Sequence, residues 1–341
     1  MALQNIKYLV REKGGQLVAT SVPKPIIVEA TEVMIRLKAI AINPADCKMI
    51  DQGHRVASWP LVAGLDGSGV VEAVGDRVKN FAIGDEVLAM FASGDRGASF
   101  QKYAVVPEMM VAKKPSTWSF ENAATLGVCY LTAMMALGIG LKTRLPFLSG
   151  GPTTGFNPSA VLILGGSSAL GAAVIQLLRL AVPECLILAT SSPKHHKHLT
   201  SILGADGAFD RNSTSLITEV KSASGSQGVD AIIDAVGAGS NQRNIFEAFN
   251  PSGPKKYAQV WTGDEEIQVP SGVDSVMFRG RDLLHLQGGN NIMLALQKLL
   301  EDDNYKLPLP VHRVGEGLEA LQKGLDLMRQ GVSGEKLVVS V

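Results

Sequence analysis

Gly165, Gly166 and Gly171 stand in the run GGSSALG, with Ser167 and Ser168 between them. Glycines at this density let a backbone come close to a bulky anion, and the serines add hydroxyl donors. Before the run comes Val161-Leu162-Ile163-Leu164, apolar throughout, as a parallel strand covered on both faces must be. After it come apolar residues at helical spacing from Ala169 to Leu180, then a second apolar run, Cys185 to Ala189. Strand, glycine turn, helix and strand in this order open a dinucleotide site, where the helix N-terminus offers unpaired N–H groups to the pyrophosphate. Gly165, Gly166, Ser167, Ser168, Ala169 and Leu170 are the expected contacts. The pattern departs from G-x-G-x-x-G, so the flanking strands and helix carry the reading. The alternative is a parallel βαβ unit that binds no nucleotide.

The residues after the second strand choose the nucleotide. An NAD site usually has an Asp or Glu about 20 residues after the glycines, on the ribose hydroxyl. No carboxylate occurs from Cys185 to Gly204, and the strand runs into Thr190-Ser191-Ser192-Pro193-Lys194. Hydroxyls and a lysine suit a 2′-phosphate, which a carboxylate would repel. The expected cofactor is therefore NADPH, held by Ser191, Ser192 and Lys194, with Arg211 after the third strand as a further contact. Ser192-Pro193 also fits a helix N-cap with Pro in the first turn, and both readings can hold together. The histidines at 195, 196 and 198 could suggest a metal. Neighbouring positions on a helix face different ways, so a solvated helix start is favoured.

Around this stretch the chain is large enough for two domains, at 341 residues. Lys and Arg number 32 against 32 Asp and Glu, so no net field favours nucleic acid or membrane. Aromatic residues are only 5%, which argues against base stacking. Cys47, Cys129 and Cys185 form no paired motif, which fits a reduced, cytoplasmic setting. The start, MALQNIKYLVREKGG, lacks the apolar core of a signal peptide, and no apolar run is expected to span a membrane. Residues 1–125 read as short strands, IKYLV, QLVAT, VMIRLKAIAI, GSGVVEAV and DEVLAM, separated by Gly, Pro and Asn. Such spacing predicts a barrel or sandwich. Farther on, Gly228 to Gly237 and Ala258 to Trp261 predict parallel strands, and Leu145 to Pro158 is too rich in Pro and Gly for either regular element. Gly317 to Arg329 predicts an amphipathic helix.

Three pieces of the first domain, with the glycine turn, carry a resemblance. They are Ile42-Asn43-Pro44-Ala45-Asp46-Cys47-Lys48-Met49, the run from Gly64 to Gly75, and Gly84-Asp85-Glu86-Val87. Nearly the whole chain resembles the medium-chain dehydrogenase/reductase superfamily. That resemblance implies an α/β fold: a GroES-like β-barrel substrate domain over 1–125, completed by 285–341, and a doubly wound Rossmann NADP(H) domain over 126–284. It places the cofactor in the cleft between them, Val236 and Gly237 facing the cofactor, and Asn43 and Asp46 on the substrate side. The chain departs from the zinc alcohol dehydrogenases of that superfamily. Their first zinc-ligating Cys falls at Asn43, and their His-Glu pair falls at Leu65-Asp66. Leucine cannot ligate a metal, and Cys47 reads better as a small buried hydrophobe. The four-cysteine zinc lobe is also missing. The expectation is a zinc-free reductase without bound metal.

The Pro-rich stretch and the tail resemble the trans-acting enoyl reductases that serve fungal polyketide synthases. The reaction implied is hydride transfer from NADPH to the β-carbon of an activated C=C, most simply an enoyl thioester. The enolate left behind needs stabilisation and a proton. Lys48 is the first candidate for both tasks, unless it is only a surface lysine of its loop. Tyr130 and Thr132 are the alternatives, on the segment Thr125 to Leu137 that the resemblance sets beside the nicotinamide; that segment also reads as a packed linker helix. Lys336 is either a pyrophosphate contact or an exposed lysine at a strand end. Two rivals to the enoyl reductase stand: a stand-alone quinone or enone reductase, and an NADPH-binding protein without activity. The partners expected are a small or carrier-bound enoyl substrate and a polyketide synthase, with the chain a monomer or a homodimer.

Overall fold

The computed structural model describes residues 4–263 and 266–341. It resolves into two compact units. The first holds the chain as far as Val128, with Leu296–Glu301 and Pro310–Val341; the second holds Cys129–Ala295 and Asp302–Leu309. The chain thus leaves the second unit later than residue 285 and re-enters it once.

The first unit is built on strands. They are β1 (Gln4–Val10), β2 (Leu17–Pro23), β3 (Glu32–Ala41), β4 (Leu61–Val62), β5 (Asp66–Val74), β6 (Glu86–Met90), β7 (Tyr103–Pro107) and β8 (Val111–Lys113). Short helices α1 (Pro44–Gln52), α2 (Phe120–Ala124) and the start of α3 (Gly127–Met135) belong with them. β3 is the hub, antiparallel to β5, to β7 and to the last strand of the chain. Its apolar residues, Val33, Ile35 and Leu37, pack with Val71, Val87 and Phe91. The five strand runs expected from the sequence all form. The loop expected around Lys48 is instead the helix α1, with Asn43 at its N-cap. Pro44 sits in its first turn, where a missing N–H costs nothing, and Asp46 accepts the N–H of Asn43 at 2.8 Å.

The second unit is one parallel sheet. Its strands are β9 (Ala160–Leu164), β10 (Leu186–Ser191), β11 (Gly207–Asp210), β12 (Ala231–Asp234), β13 (Lys256–Val260) and β14 (Asp274–Phe278). The order is β11-β10-β9-β12-β13-β14, every pairing parallel. This is the Rossmann order, and it reverses direction beside β9, the glycine-turn strand. Helices α4 (Ala169–Ala181), α5 (His196–Ser201) and α6 (Leu216–Ala223) connect the strands. Then come α7 (Ile292–Glu301), β15 (Val311–Glu316), α8 (Gly317–Gln330) and β16 (Lys336–Ser340). β16 lies between β15 and β3, so the tail completes the first unit.

One apolar helical stretch, Phe120–Gly140, is 21 residues long and passes the length and composition test for a membrane span, with 78% of its apolar window buried inside the protein. This corrects the expectation that no apolar run is long enough to span a membrane. Burial of this extent is what a core helix shows.

Candidate active site

At the end of β9 the chain turns through Gly165, whose φ of +76° favours glycine. A Cβ there would meet Val236 Cγ1 at 2.5 Å. The turn is tied to the next strand: Gly165 N–H donates to Thr190 Oγ1 at 3.1 Å and Gly166 N–H to Thr190 O at 2.8 Å. Ser168 then caps α4, its Oγ accepting from Gly171 N–H at 3.0 Å. Gly171 packs so closely that a Cβ would lie 2.3 Å from Gly165 O. Gly165, Ser167, Ser168, Ala169 and Leu170 are half-buried at the start of this helix. The cradle has the shape and donor chemistry that a pyrophosphate needs.

The β12 end of the cradle depends on a residue the sequence reading missed. Asp234 is buried, and its carboxylate accepts from Val236 N–H at 3.1 Å, Ala238 N–H at 2.9 Å and Gly239 N–H at 2.8 Å. Tyr257 Oη also donates to it at 2.6 Å. These bonds fix the turn that sets Val236, 49% exposed, against Gly165. An acid at the end of an apolar strand, followed by Ala-Val-Gly-Ala-Gly, was the available signal.

The residues expected at a 2′-phosphate lie around the end of β10 and the start of the segment after β11. Ser192 is half-buried, and Lys194 and Arg211 are exposed. Ser192 occupies the N-cap position of a short 3-10 turn with Pro193 following, yet its side chain makes no capping bond. Arg211 N–H donates to Ser191 O at 3.0 Å, which joins the ends of β10 and β11. His195 is held below its ordinary pKa first by burial, then by Lys194, His198 and Arg211, so cationic charge gathers here. Ser191 differs from expectation: it is buried, and its hydroxyl donates to Ser192 O at 3.0 Å. Asp210, at the end of β11, turns its carboxylate to the Asn212 N–H at 3.0 Å.

In the first unit, Asn43, Asp46, Asp66 and Lys336 come together. Lys336 Nζ donates to Asn43 Oδ1 at 2.5 Å and to Asp66 Oδ2 at 3.2 Å. Asn43 Nδ2 donates to Asp66 Oδ2 at 3.0 Å. Asp66 Oδ1 accepts the Val128 N–H at 2.7 Å, in the first turn of α3. Lys336 is only 4% exposed, so it is not the exposed strand-end lysine of the sequence reading, and both its named acceptors belong to this cluster. Asp46, expected at the substrate, is 0% exposed, and its carboxyl accepts the N–H of Asn43, the N-cap residue of α1.

Burial, with the Asp66 charge adding to it, pushes the Asp46 carboxyl up to about 7. Its Oδ1 has no hydrogen-bond partner, which a neutral carboxyl tolerates better than an ion. A raised folded pKa means that stability is complete below the unfolded value near 3.8 and is lost as pH rises through about 7. Asp46→Asn can keep the bond to Asn43 N–H without that charge. Relative to this variant the parent should lose stability progressively between pH 3.8 and about 7, a difference that melting curves of the two at several pH values will show.

The other candidates separate. Tyr130 is wholly buried in the second unit, with its hydroxyl donating to Ile292 O at 3.2 Å and its ring edge-on to Tyr305 at 5.7 Å. Burial raises its pKa well above the ordinary tyrosine value. This is a core tyrosine, not an accessible proton donor. Thr132 is also nearly buried, at 9% exposed, and Lys48 is half-buried on α1. Cys47 is buried in the core, its Sγ against Leu325 O at 3.7 Å, and burial pushes its thiol up to about 12. It has the character of a small hydrophobe, as expected.

Two family matches account for this architecture. Residues 29–116 match the alcohol dehydrogenase GroES-like domain, and residues 169–301 match the zinc-binding dehydrogenase domain. The chain belongs to the medium-chain dehydrogenase/reductase superfamily of oxidoreductases. It is 31% identical over 319 residues to a trans-enoyl reductase of Aspergillus japonicus, covering 91% of this chain and 90% of that protein. It is 31% identical to a trans-enoyl reductase of Fusarium heterosporum, covering 91% of each. Among solved structures, the CurK enoyl reductase superposes with a TM-score of 0.76 at 22% identity, over 99% of each chain. The quinone oxidoreductase of Coxiella burnetii superposes with a TM-score of 0.73 at 22% identity, over 99% of this chain and 100% of that one.

The second domain's family name invokes zinc, and the residues present do not fit it. Leu65 has no ligating atom, while Asn43 and Asp66 are engaged by an ammonium. Among the described residues, no group of three or more His, Cys, Asp or Glu could hold a metal ion. A pyridine nucleotide, in contrast, suits the cradle beside β9.

Proposed function

We propose that this chain is an NADPH-dependent reductase of activated C=C bonds, acting on enoyl thioesters. The observation that carries the cofactor assignment is the cationic, hydroxyl-bearing end of β10 next to the glycine turn. Ser192, Lys194 and Arg211 would take the 2′-phosphate there, and the free N–H groups opening α4 would take the pyrophosphate. Val236 and Gly237, fixed by Asp234, would line the cofactor. The activity follows that named for the trans-enoyl reductases similar over nearly the whole chain, and with it comes a polyketide synthase as the source of a carrier-bound substrate.

When bound, NADPH supplies the hydride for the β-carbon. The protein must then stabilise negative charge on the thioester oxygen and return a proton to the α-carbon. Lys48 is our choice for both, because an ammonium answers the charge and carries the proton. Thr132 is the second donor. Tyr130, with its hydroxyl committed in the core, has no part.

Two measurements test this reading. Lys194→Ala should weaken NADPH roughly 10- to 100-fold, the scale of one charge-assisted hydrogen bond, and leave NADH nearly unchanged. Equal affinity of the parent for the two cofactors in a direct titration would sink the 2′-phosphate assignment. Reduction of an enoyl thioester with cofactor deuterated at the transferring position should leave the label on the β-carbon. Label on the carbonyl carbon would show reduction of the thioester carbonyl instead.

A further inference from the structure

Two helices begin at the same buried charge of the first unit. Asn43 is the N-cap of α1, the helix that carries Lys48. Val128 lies in the first turn of α3, the helix that carries Thr132. The Asn43 side chain and the Val128 N–H are both bonded to the Asp66 carboxylate, at 3.0 Å and 2.7 Å. A carboxylate suits this place, since the N-terminal ends of both helices carry partial positive charge. Buried alone it would be costly, and Lys336 on β16 neutralises it.

The same ammonium fixes the Asn43 amide. An ammonium can donate only to the amide oxygen, and a carboxylate can accept only from the amide nitrogen. Lys336 on one side and Asp66 on the other therefore permit a single orientation. A Cβ at Gly127 would meet Asp66 Oδ1 at 2.7 Å, so the start of α3 is seated directly on the carboxylate.

Resting on the reductase reading above, we propose that Lys336 is a positioning residue of the reaction: through Asn43 and Asp66 its buried ammonium sets the starting points of the helices that carry Lys48 and Thr132. It touches neither substrate nor cofactor in this role. Displacing a reacting group by about an ångström can lower a rate about 10²-fold, so a loss of that order in kcat is the expected signature.

The test uses Lys336→Met and the double variant Lys336→Met/Asp66→Asn. The single change strands a buried carboxylate and should lower the melting temperature; the double change removes both charges and should recover much of that loss. In the double variant kcat toward an enoyl thioester should stay about 10²-fold below the parent, with NADPH affinity by direct titration unchanged. Hydrogen exchange should quicken in residues 43–52 and 127–135 of the double variant. A folded double variant with parental kcat would overturn the proposal. So would unchanged exchange in both segments, whatever the substrate proves to be. If the parent itself reduces no enoyl thioester, the reductase reading fails, and the exchange measurement alone still decides whether Lys336 positions these helices.

Discussion

Lys48→Met should lower kcat by about 10²–10⁴-fold, the usual contribution of a positioned general acid, and leave NADPH affinity unchanged. The substitution keeps an unbranched apolar stem while removing the charge and the proton. Lys48 lies on α1 in the first unit, whereas the residues proposed to hold the phosphates belong to the second. A change confined to the chemistry should therefore appear in kcat and in kcat/KM together. The measurement is steady-state kinetics with one thioester at one pH, beside a cofactor titration on the same variant. Parental kcat would remove Lys48 from the mechanism and leave Thr132 or solvent as the proton source. Loss of NADPH binding would mean that Lys48 contacts the cofactor.

Gly171→Ala should abolish measurable NADPH binding at concentrations that saturate the parent. The added Cβ would lie 2.3 Å from Gly165 O and 2.9 Å from Gly166 Cα, both backbone atoms of the glycine turn. No side-chain rotation relieves a clash with backbone. Either α4 or the turn must move, and each carries part of the proposed phosphate cradle. Overpacking of this kind typically costs about 1–3 kcal/mol in stability, so the variant should still fold with a lowered melting temperature. A variant that folds and binds NADPH as the parent does would show that the cradle is not built on this contact.

The legible part of this molecule was local. β9, the glycine turn, α4 and β10 lie within one short stretch, and their apolar periodicity and glycines announce them without help from the rest of the chain. The strands of the first unit were equally readable from their spacing. Contacts between distant residues were not. Lys336 meets Asp66 across 270 positions and Asn43 across 293, and no local pattern distinguishes such a lysine from an exposed one. Tyr130 misled for a related reason. On an apolar helix its hydroxyl looked available, but the carbonyl of Ile292 that engages it is 162 residues away. Asp46 was recognisable as polar and well placed, yet its burial depends on how α1 packs, which composition does not report. Asn43-Pro44 could have revealed the helix, since Asn before Pro with Asp46 three residues on is a cap signature; reading Lys48 on a loop obscured it.

The account is tested most directly by the rate at which the purified protein oxidises NADPH with an enoyl thioester, a quinone and a simple enone, each repeated with NADH. It predicts turnover with the thioester, a higher kcat/KM with NADPH than with NADH, and a saturated thioester as product. Oxidation of NADPH with the quinone alone, or with none of the three, would contradict it.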